Sequence, residues 1–171
     1  MNYNIINPGA NRYASILVNM IFENLPIHWK SQLPAIEVKI STLPFEKVTE
    51  IFTYCCEAKA KDFNFQRKMI ICPDLKKVVP IIWVRFDEKS TLINKEYFFQ
   101  RELYLLLGEL MWENSKVIQN FTRETYKSAF LETFEYFFVS PEYLKEYVPA
   151  AFSFMKSIDD LLLNKNKSVK I

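Results

Sequence analysis

The spacing of apolar residues changes along the chain from helical to alternating. Leu17 and Met20 belong to a helically spaced stripe that follows a cap of Asn7-Pro8, and this predicts a helix over residues 8–24. Over residues 36–40, apolar and charged residues alternate strictly, which is typical of a half-buried strand. The two periods within forty residues predict a domain that mixes helices with a sheet.

Two later segments also have strand character. Residues 69–72 and 78–86 are short runs rich in β-branched residues. Pro80 cannot donate to a strand ladder, so the second run is expected to start at a sheet edge or just after this proline. A second helix is predicted over residues 42–55. The expected sheet therefore has three to four strands.

The remaining segments are predicted to be helical. They are a short turn at 28–33 and helices at 95–113, 117–139 and 141–147, followed by a last helix after Pro149. The prediction is an α+β fold, helix-rich, with one domain over residues 1–165 and a flexible basic tail at 166–171.

Composition removes several classes of function. Gly9 and Gly108 are the only glycines, so no glycine-rich phosphate loop exists. The 22 basic and 20 acidic residues leave a net charge of +2, too even for a nucleic-acid surface. The longest apolar runs are far too short to insert into a membrane. No signal peptide is visible and the cysteine count is odd, so we expect a cytoplasmic protein, secreted only through a missing leader or leaderless export.

Candidate catalytic residues are few. His28 is the only histidine, no acidic residue lies near it in sequence, and it is interpreted as structural or solvent-facing. One histidine cannot build a zinc site that needs two or three, so no metal or other cofactor is expected. Glu132 and Glu135, three residues apart, could support acid–base chemistry, but such pairs are common on solvated helices.

The C-terminal third carries a resemblance to a known family. Residues 129–155, AFLETFEYFFVSPEYLKEYVPAAFSFM, are similar to the C-terminal signature of the anthrax lethal factor family. Weaker similarity covers residues 20–165: residues 78–86 resemble the strand that edges the active cleft, and residues 105–112 resemble the central catalytic helix. The resemblance implies a zincin-like fold, which the family uses in active proteases and in degenerate domains that bind a partner.

The zinc site of that family is not conserved in this chain. Active members carry His-Glu-x-x-His on the central helix, where two histidines hold zinc and the glutamate activates water. Aligned on Gly108, the four positions are occupied instead by Leu105, Leu106, Glu109 and, for the third ligand, Ser128. The resemblance therefore implies a pseudo-protease without enzymatic activity.

Two functions fit these observations. The first is a catalytically inactive, toxin-component-like domain that binds another protein of unknown identity. The alternative is a bacterial or phage immunity or anti-defence protein that inhibits a toxin or defence enzyme. For either function, we expect surplus aromatic residues on the surface, near lysines such as Lys61, Lys68 and Lys145; the candidates are Trp29, Phe63, Phe65, Tyr143 and Tyr147.

Overall fold

The alternating segment forms a strand in a mixed sheet. The computed structural model describes the backbone of residues 3–10, 12–41, 56–60, 65–72, 77–85 and 92–168, and the side chains of residues 3–9, 12–40, 100, 101, 103–123 and 125–168. The strands are β1 (Tyr3–Ile6), β2 (Ile36–Ser41), β3 (Cys56–Ala60), β4 (Phe65–Cys72) and β5 (Lys77–Arg85).

Within the described residues, the sheet has five strands in the order β1-β2-β5-β4-β3. β2 pairs in parallel with both β1 and β5, whereas β4 is antiparallel to β5 and to β3. Ile36, Val38 and Ile40 of β2 are buried, which confirms the predicted alternation. The prediction of three to four strands is wrong: β1, with four residues, is too short to show a clear period, and β3, in which small and charged residues do alternate, was not predicted.

The position of Pro80 explains how a proline fits inside β5. Pro80 is paired with Met69 of β4, but the pairing of β5 with β2 begins only at Ile81. At Pro80, β5 is therefore paired with β4 alone. The missing N–H of the proline interrupts no hydrogen-bond ladder with β2, because that ladder begins one residue later. The resemblance of this strand to one that edges a cleft stays a prediction; in the sheet order, β5 is the middle strand.

Seven α-helices occur in the described part of the chain. They are α1 (Arg12–Asn24), α2 (Ile27–Lys30), α3 (Leu92–Asn114), α4 (Lys116–Thr122), α5 (Lys127–Val139), α6 (Pro141–Tyr147) and α7 (Pro149–Ser168). Two short 3-10 helices, Pro8–Ala10 and Glu124–Tyr126, precede α1 and α5. The helix predicted at 42–55 lies outside the described residues. A helix-rich α+β fold with a small sheet is confirmed.

The predicted helix at 117–139 is in fact two helices. Ser115 caps α4 by accepting a hydrogen bond from the N–H of Ile118 at 3.2 Å, and Arg123 ends the helix at φ 55° and ψ 147°. A side chain at such positive φ costs on the order of 1–3 kcal/mol. The break moves Tyr126 off the aromatic stripe that continues at Phe130, so Tyr126 is 58% exposed.

Three other helix termini differ from prediction. Asn7 has φ 55° and precedes the 3-10 helix Pro8–Ala10, whereas α1 begins only at Arg12. Ser140 precedes α6, but its side chain makes no capping hydrogen bond. Residues 166–168, predicted as part of a flexible tail, belong instead to α7 (Pro149–Ser168). Within them, Asn166 Nδ2 donates to Ser31 Oγ at 3.4 Å.

The contacts of the chain group into two units. The sheet unit comprises Met1–Glu23 and Pro34–Glu102, and the helical unit comprises Asn24–Leu33 and Leu103–Ile171. The prediction of a single domain over residues 1–165 stays a prediction. In the sheet unit, the ring of Tyr3 stacks on Phe22 at 4.1 Å.

Phe134 of α5 lies at the centre of the helical unit. It is fully buried, and its ring contacts those of Trp29 at 5.5 Å and Phe138 at 4.8 Å. A Cβ built on Gly108 of α3 would lie 2.9 Å from Phe134 Cδ1 and 3.2 Å from Leu131 Cδ2. Gly108 is therefore required by the close approach of α3 to α5, not by its backbone conformation.

We predict that Gly108→Ala destabilises the protein although alanine is the better helix former. The propensity gain is about 1 kcal/mol, whereas forcing a methyl group against a buried ring costs about 1–3 kcal/mol. We expect a net loss of about 1 kcal/mol in urea unfolding. The control is Gly9→Ala, because a Cβ at Gly9 meets nothing within 4 Å. A more stable Gly108→Ala variant would contradict the close packing of α3 on α5.

Candidate functional site

The helix that resembles the family's catalytic helix is α3, and it packs against α5. Tyr104 near the middle of α3 stacks on Phe138 at 6.0 Å, and Trp112 further along contacts Phe130 at 5.5 Å. Residue numbers rise along α3 as they fall along α5, so the two helices are antiparallel. This pairing places the positions aligned with the catalytic site on two neighbouring helices.

The aligned positions themselves are apolar or solvated. Leu106 is buried and Leu105 is half-buried, whereas Ser128 is exposed. Glu109 is half-buried, and Lys127 Nζ donates to its Oε1 at 3.4 Å. Among the described residues, no group of three or more His, Cys, Asp and Glu side chains is arranged to hold a metal ion.

Asp159 of α7 is the centre of a polar cluster that sequence reasoning missed. Its Oδ1 is hydrogen-bonded to Nε2 of His28, and it also accepts a hydrogen bond from Nε1 of Trp29 at 2.8 Å. Its Oδ2 accepts a hydrogen bond from Nζ of Lys156 at 2.7 Å. We call these four residues the Asp159 cluster. Of the two roles predicted for His28, structural or solvent-facing, its burial excludes the second, and the carboxylate that contacts it lies 131 residues away in sequence.

The electrostatics of the cluster favour an ionised carboxylate. Burial raises the pKa of Asp159, but hydrogen bonds from Lys156, His28 and Trp29, with the charge of Lys156, outweigh burial and lower that pKa below its ordinary value. The hydroxyl of Ser31 donates to the His28 carbonyl at 2.8 Å and is therefore directed away from the imidazole. The cluster joins α2 to α7 and presents no nucleophile.

A sequence signal for Asp159 exists in retrospect. The buried stripe of α7 consists of Met155, Ile158 and Leu162. Asp159 follows Met155 by four residues and precedes Leu162 by three, which places its carboxylate beside the buried face. A charged residue at such a position needs partners, and His28 and Trp29 are two such partners.

The five aromatic residues predicted to form a binding surface have different environments. Trp29 is fully buried, so its assignment to the surface is wrong: its ring fills the core beside Phe134 and its N–H is bonded to Asp159. Phe63 lies outside the described residues, as does the side chain of Phe65, whose backbone begins β4. Tyr143 and Tyr147 are 47% and 64% exposed.

Tyr143 and Tyr147 belong to a row of tyrosine rings in contact. Tyr136 at the end of α5 stacks on Tyr143 at 5.5 Å, and Tyr143 contacts Tyr147 one turn further along α6 at 4.8 Å. We call these three residues the tyrosine patch. Val148, 45% exposed, follows directly in sequence, and Lys145 is exposed on the same helix. The side chains of Lys61 and Lys68 lie outside the described residues.

An open cavity of about 520 Å³ lies between α4, α5 and α7 in the helical unit. Its walls are mainly apolar and include Phe121, Phe130 and Phe154, with Arg123 and Tyr126 among the lining residues. Phe121 stacks on Phe154 at 5.7 Å. The sequence contained no pattern that groups these residues, because the cavity depends on the break between α4 and α5.

No protein-family model, curated protein or solved structure matches the chain. The resemblance to the lethal factor family therefore rests on the residues of this sequence alone. No helix in the described part of the chain is long and apolar enough to cross a membrane.

We predict that Asp159→Asn lowers the free energy of unfolding by about 1–3 kcal/mol at pH 7, because charge-assisted hydrogen bonds become weaker. The folded-state pKa of Asp159 is lowered, so its contribution is present above its unfolded pKa of about 3.9 and is lost as the pH falls through the folded pKa. The stability gap between wild type and variant should therefore narrow below about pH 4 in urea titrations.

The control for this prediction is Asp160→Asn. Asp160 is the next residue, is exposed, and contacts Lys156 at 3.3 Å. An exposed ion pair contributes little, so we expect a change within about 0.5 kcal/mol. Equal losses in the two variants at pH 7 would mean that the cluster does not stabilise the fold.

Proposed function

We propose that the chain is a catalytically inactive, zincin-like domain that acts by binding another protein. The observation that carries the binding role is the tyrosine patch. Its neighbouring rings pack against one another, with centroids 5.5 Å and 4.8 Å apart, so they are restrained before a partner arrives, and two of them remain about half exposed or more. Ordering them on binding therefore costs little conformational entropy.

The chemistry of the patch suits a protein partner. Tyrosine is enriched at interface centres because it combines a large apolar ring with one hydroxyl. Glu142, Lys145 and Glu146 are exposed along α6 and supply charges of both signs around the rings. An apolar centre with a charged rim is the usual anatomy of a protein interface.

The pairing of α3 with α5 supports the zincin-like part of the proposal. In the alignment on Gly108, the second ligand position is Glu109 and the third is Ser128. Lys127, the residue before Ser128, contacts the carboxylate of Glu109 at 3.4 Å. Helices that carry aligned ligand positions thus approach each other at those positions, as the resemblance requires.

The residues at these positions support the absence of catalysis. Leucine cannot activate water, and Glu109, at the second aligned ligand position, forms an ion pair with Lys127. His28, the only histidine of the chain, is bonded to Asp159 within another part of the helical unit.

The first test of the proposal is metal content. Because the imidazole ligands are replaced, we expect the purified chain to retain no stoichiometric zinc after dialysis. Elemental analysis by mass spectrometry measures this directly, with a zinc-loaded protease treated in parallel. Zinc retained at about one ion per chain would contradict an inactive zincin.

The second test is loss of partner binding when the patch is removed. Partners are captured from extracts on the immobilised chain, identified by mass spectrometry, and then purified for biolayer interferometry. We expect the double variant Tyr143→Ala/Tyr147→Ala to lower affinity by about 30-fold or more, as for interface hot spots of about 2 kcal/mol.

A matched control separates the patch from exposed aromatics in general. Tyr126 is 58% exposed, compared with 64% for Tyr147, and it lies outside the patch. Tyr126→Ala should leave partner affinity unchanged. Circular dichroism establishes that both variants are folded. Full affinity in the folded double variant would exclude the tyrosine patch as the binding surface.

A further inference from the structure

The cavity between α4, α5 and α7 has the size and lining of a small-molecule site. Its volume of about 520 Å³ lies within the range of sites that enclose small organic ligands. Three phenylalanine rings, Phe121, Phe130 and Phe154, supply apolar walls, and Ala129 leaves room between them. An apolar ligand body would replace water along these walls.

The positive charge at the cavity favours an anionic ligand. Thr122 Oγ1 donates to the carbonyl of Ile118 at 2.7 Å, and Thr133 Oγ1 donates to that of Ala129 at 2.7 Å. Both hydroxyl protons are therefore committed within helices. Arg123 is the one charged side chain among the described lining residues, and no ion pair occupies its guanidinium within the part of the chain the structure describes.

The backbone of Arg123 is a second, independent observation. Its φ of 55° and ψ of 147° belong to a conformation that glycine adopts freely and other residues adopt at a cost. Two hydrogen bonds hold it there: Arg123 N donates to the Gln119 carbonyl and Tyr126 N donates to the Arg123 carbonyl, both at 3.1 Å. Arg123 therefore supplies a cation at the cavity, at a position where glycine would make the turn more stable.

We propose that this cavity binds a hydrophobic monocarboxylate, such as a medium-chain fatty acid. The alkyl chain would lie against Phe121, Phe130 and Phe154, and the carboxylate would accept two parallel hydrogen bonds from the Arg123 guanidinium. The site is separate from the tyrosine patch and does not depend on the proposed protein-binding function. The cavity would recognise two features of its ligand, an apolar body and one planar anionic group.

The test compares decanoate with 1-decanol by isothermal titration calorimetry on the full chain. The two probes share an alkyl chain and differ in the charged group. We expect saturable binding of decanoate at one molecule per chain, and weaker binding of decanol. Arg123→Gln should reduce decanoate affinity by about tenfold or more while leaving decanol affinity unchanged. Ala129→Trp, which fills the cavity, should abolish the binding of both.

Arg123→Gly distinguishes loss of the site from loss of the fold. Glycine relieves the positive φ, so this variant should have a higher melting temperature than wild type and yet lose decanoate affinity. The absence of saturable decanoate binding to wild type would overturn the proposal. So would decanoate affinity that is unchanged in both Arg123→Gln and Arg123→Gly.

Discussion

The packing of Phe134 on Gly108 sets the distance between α3 and α5, and the helical unit is built around that distance. A fully buried ring with van der Waals contact to a helix backbone leaves no room for adjustment, because protein interiors are packed as densely as organic crystals. Trp29 packs on the other rings of this centre, so α2 is held by the same aromatic group. The helix pair that carries the aligned protease positions thus depends on the absence of one methyl group.

The parts of the fold that follow from local period were predictable from the sequence. The alternation in β2 and the proline-marked start of α6 correspond to observed elements because each needs only neighbouring residues. β1 was missed because four residues are too few to show a period. The break at Arg123 was missed because nothing in the sequence announces a non-glycine residue at positive φ.

The candidate sites were less predictable, because they join residues that are far apart in sequence. Trp29 was assigned to the surface from its place in a proline-flanked segment, whereas its partner Asp159 lies 130 residues away. Burial of such a residue is decided by what packs on it, not by its neighbours in the chain. Tyr143 and Tyr147 lie one helical turn apart, so their shared face was accessible from spacing alone.

The discontinuous composition of the helical unit has a consequence for the order of biosynthesis. Residues 24–33 are translated well before their partners in α7, since 130 residues separate Trp29 from Asp159. The indole of Trp29 has no partner in α7 while residues 34–102 of the sheet unit are being translated. At about 5–20 residues per second, this interval lasts on the order of ten seconds, during which an apolar segment is open to chaperones.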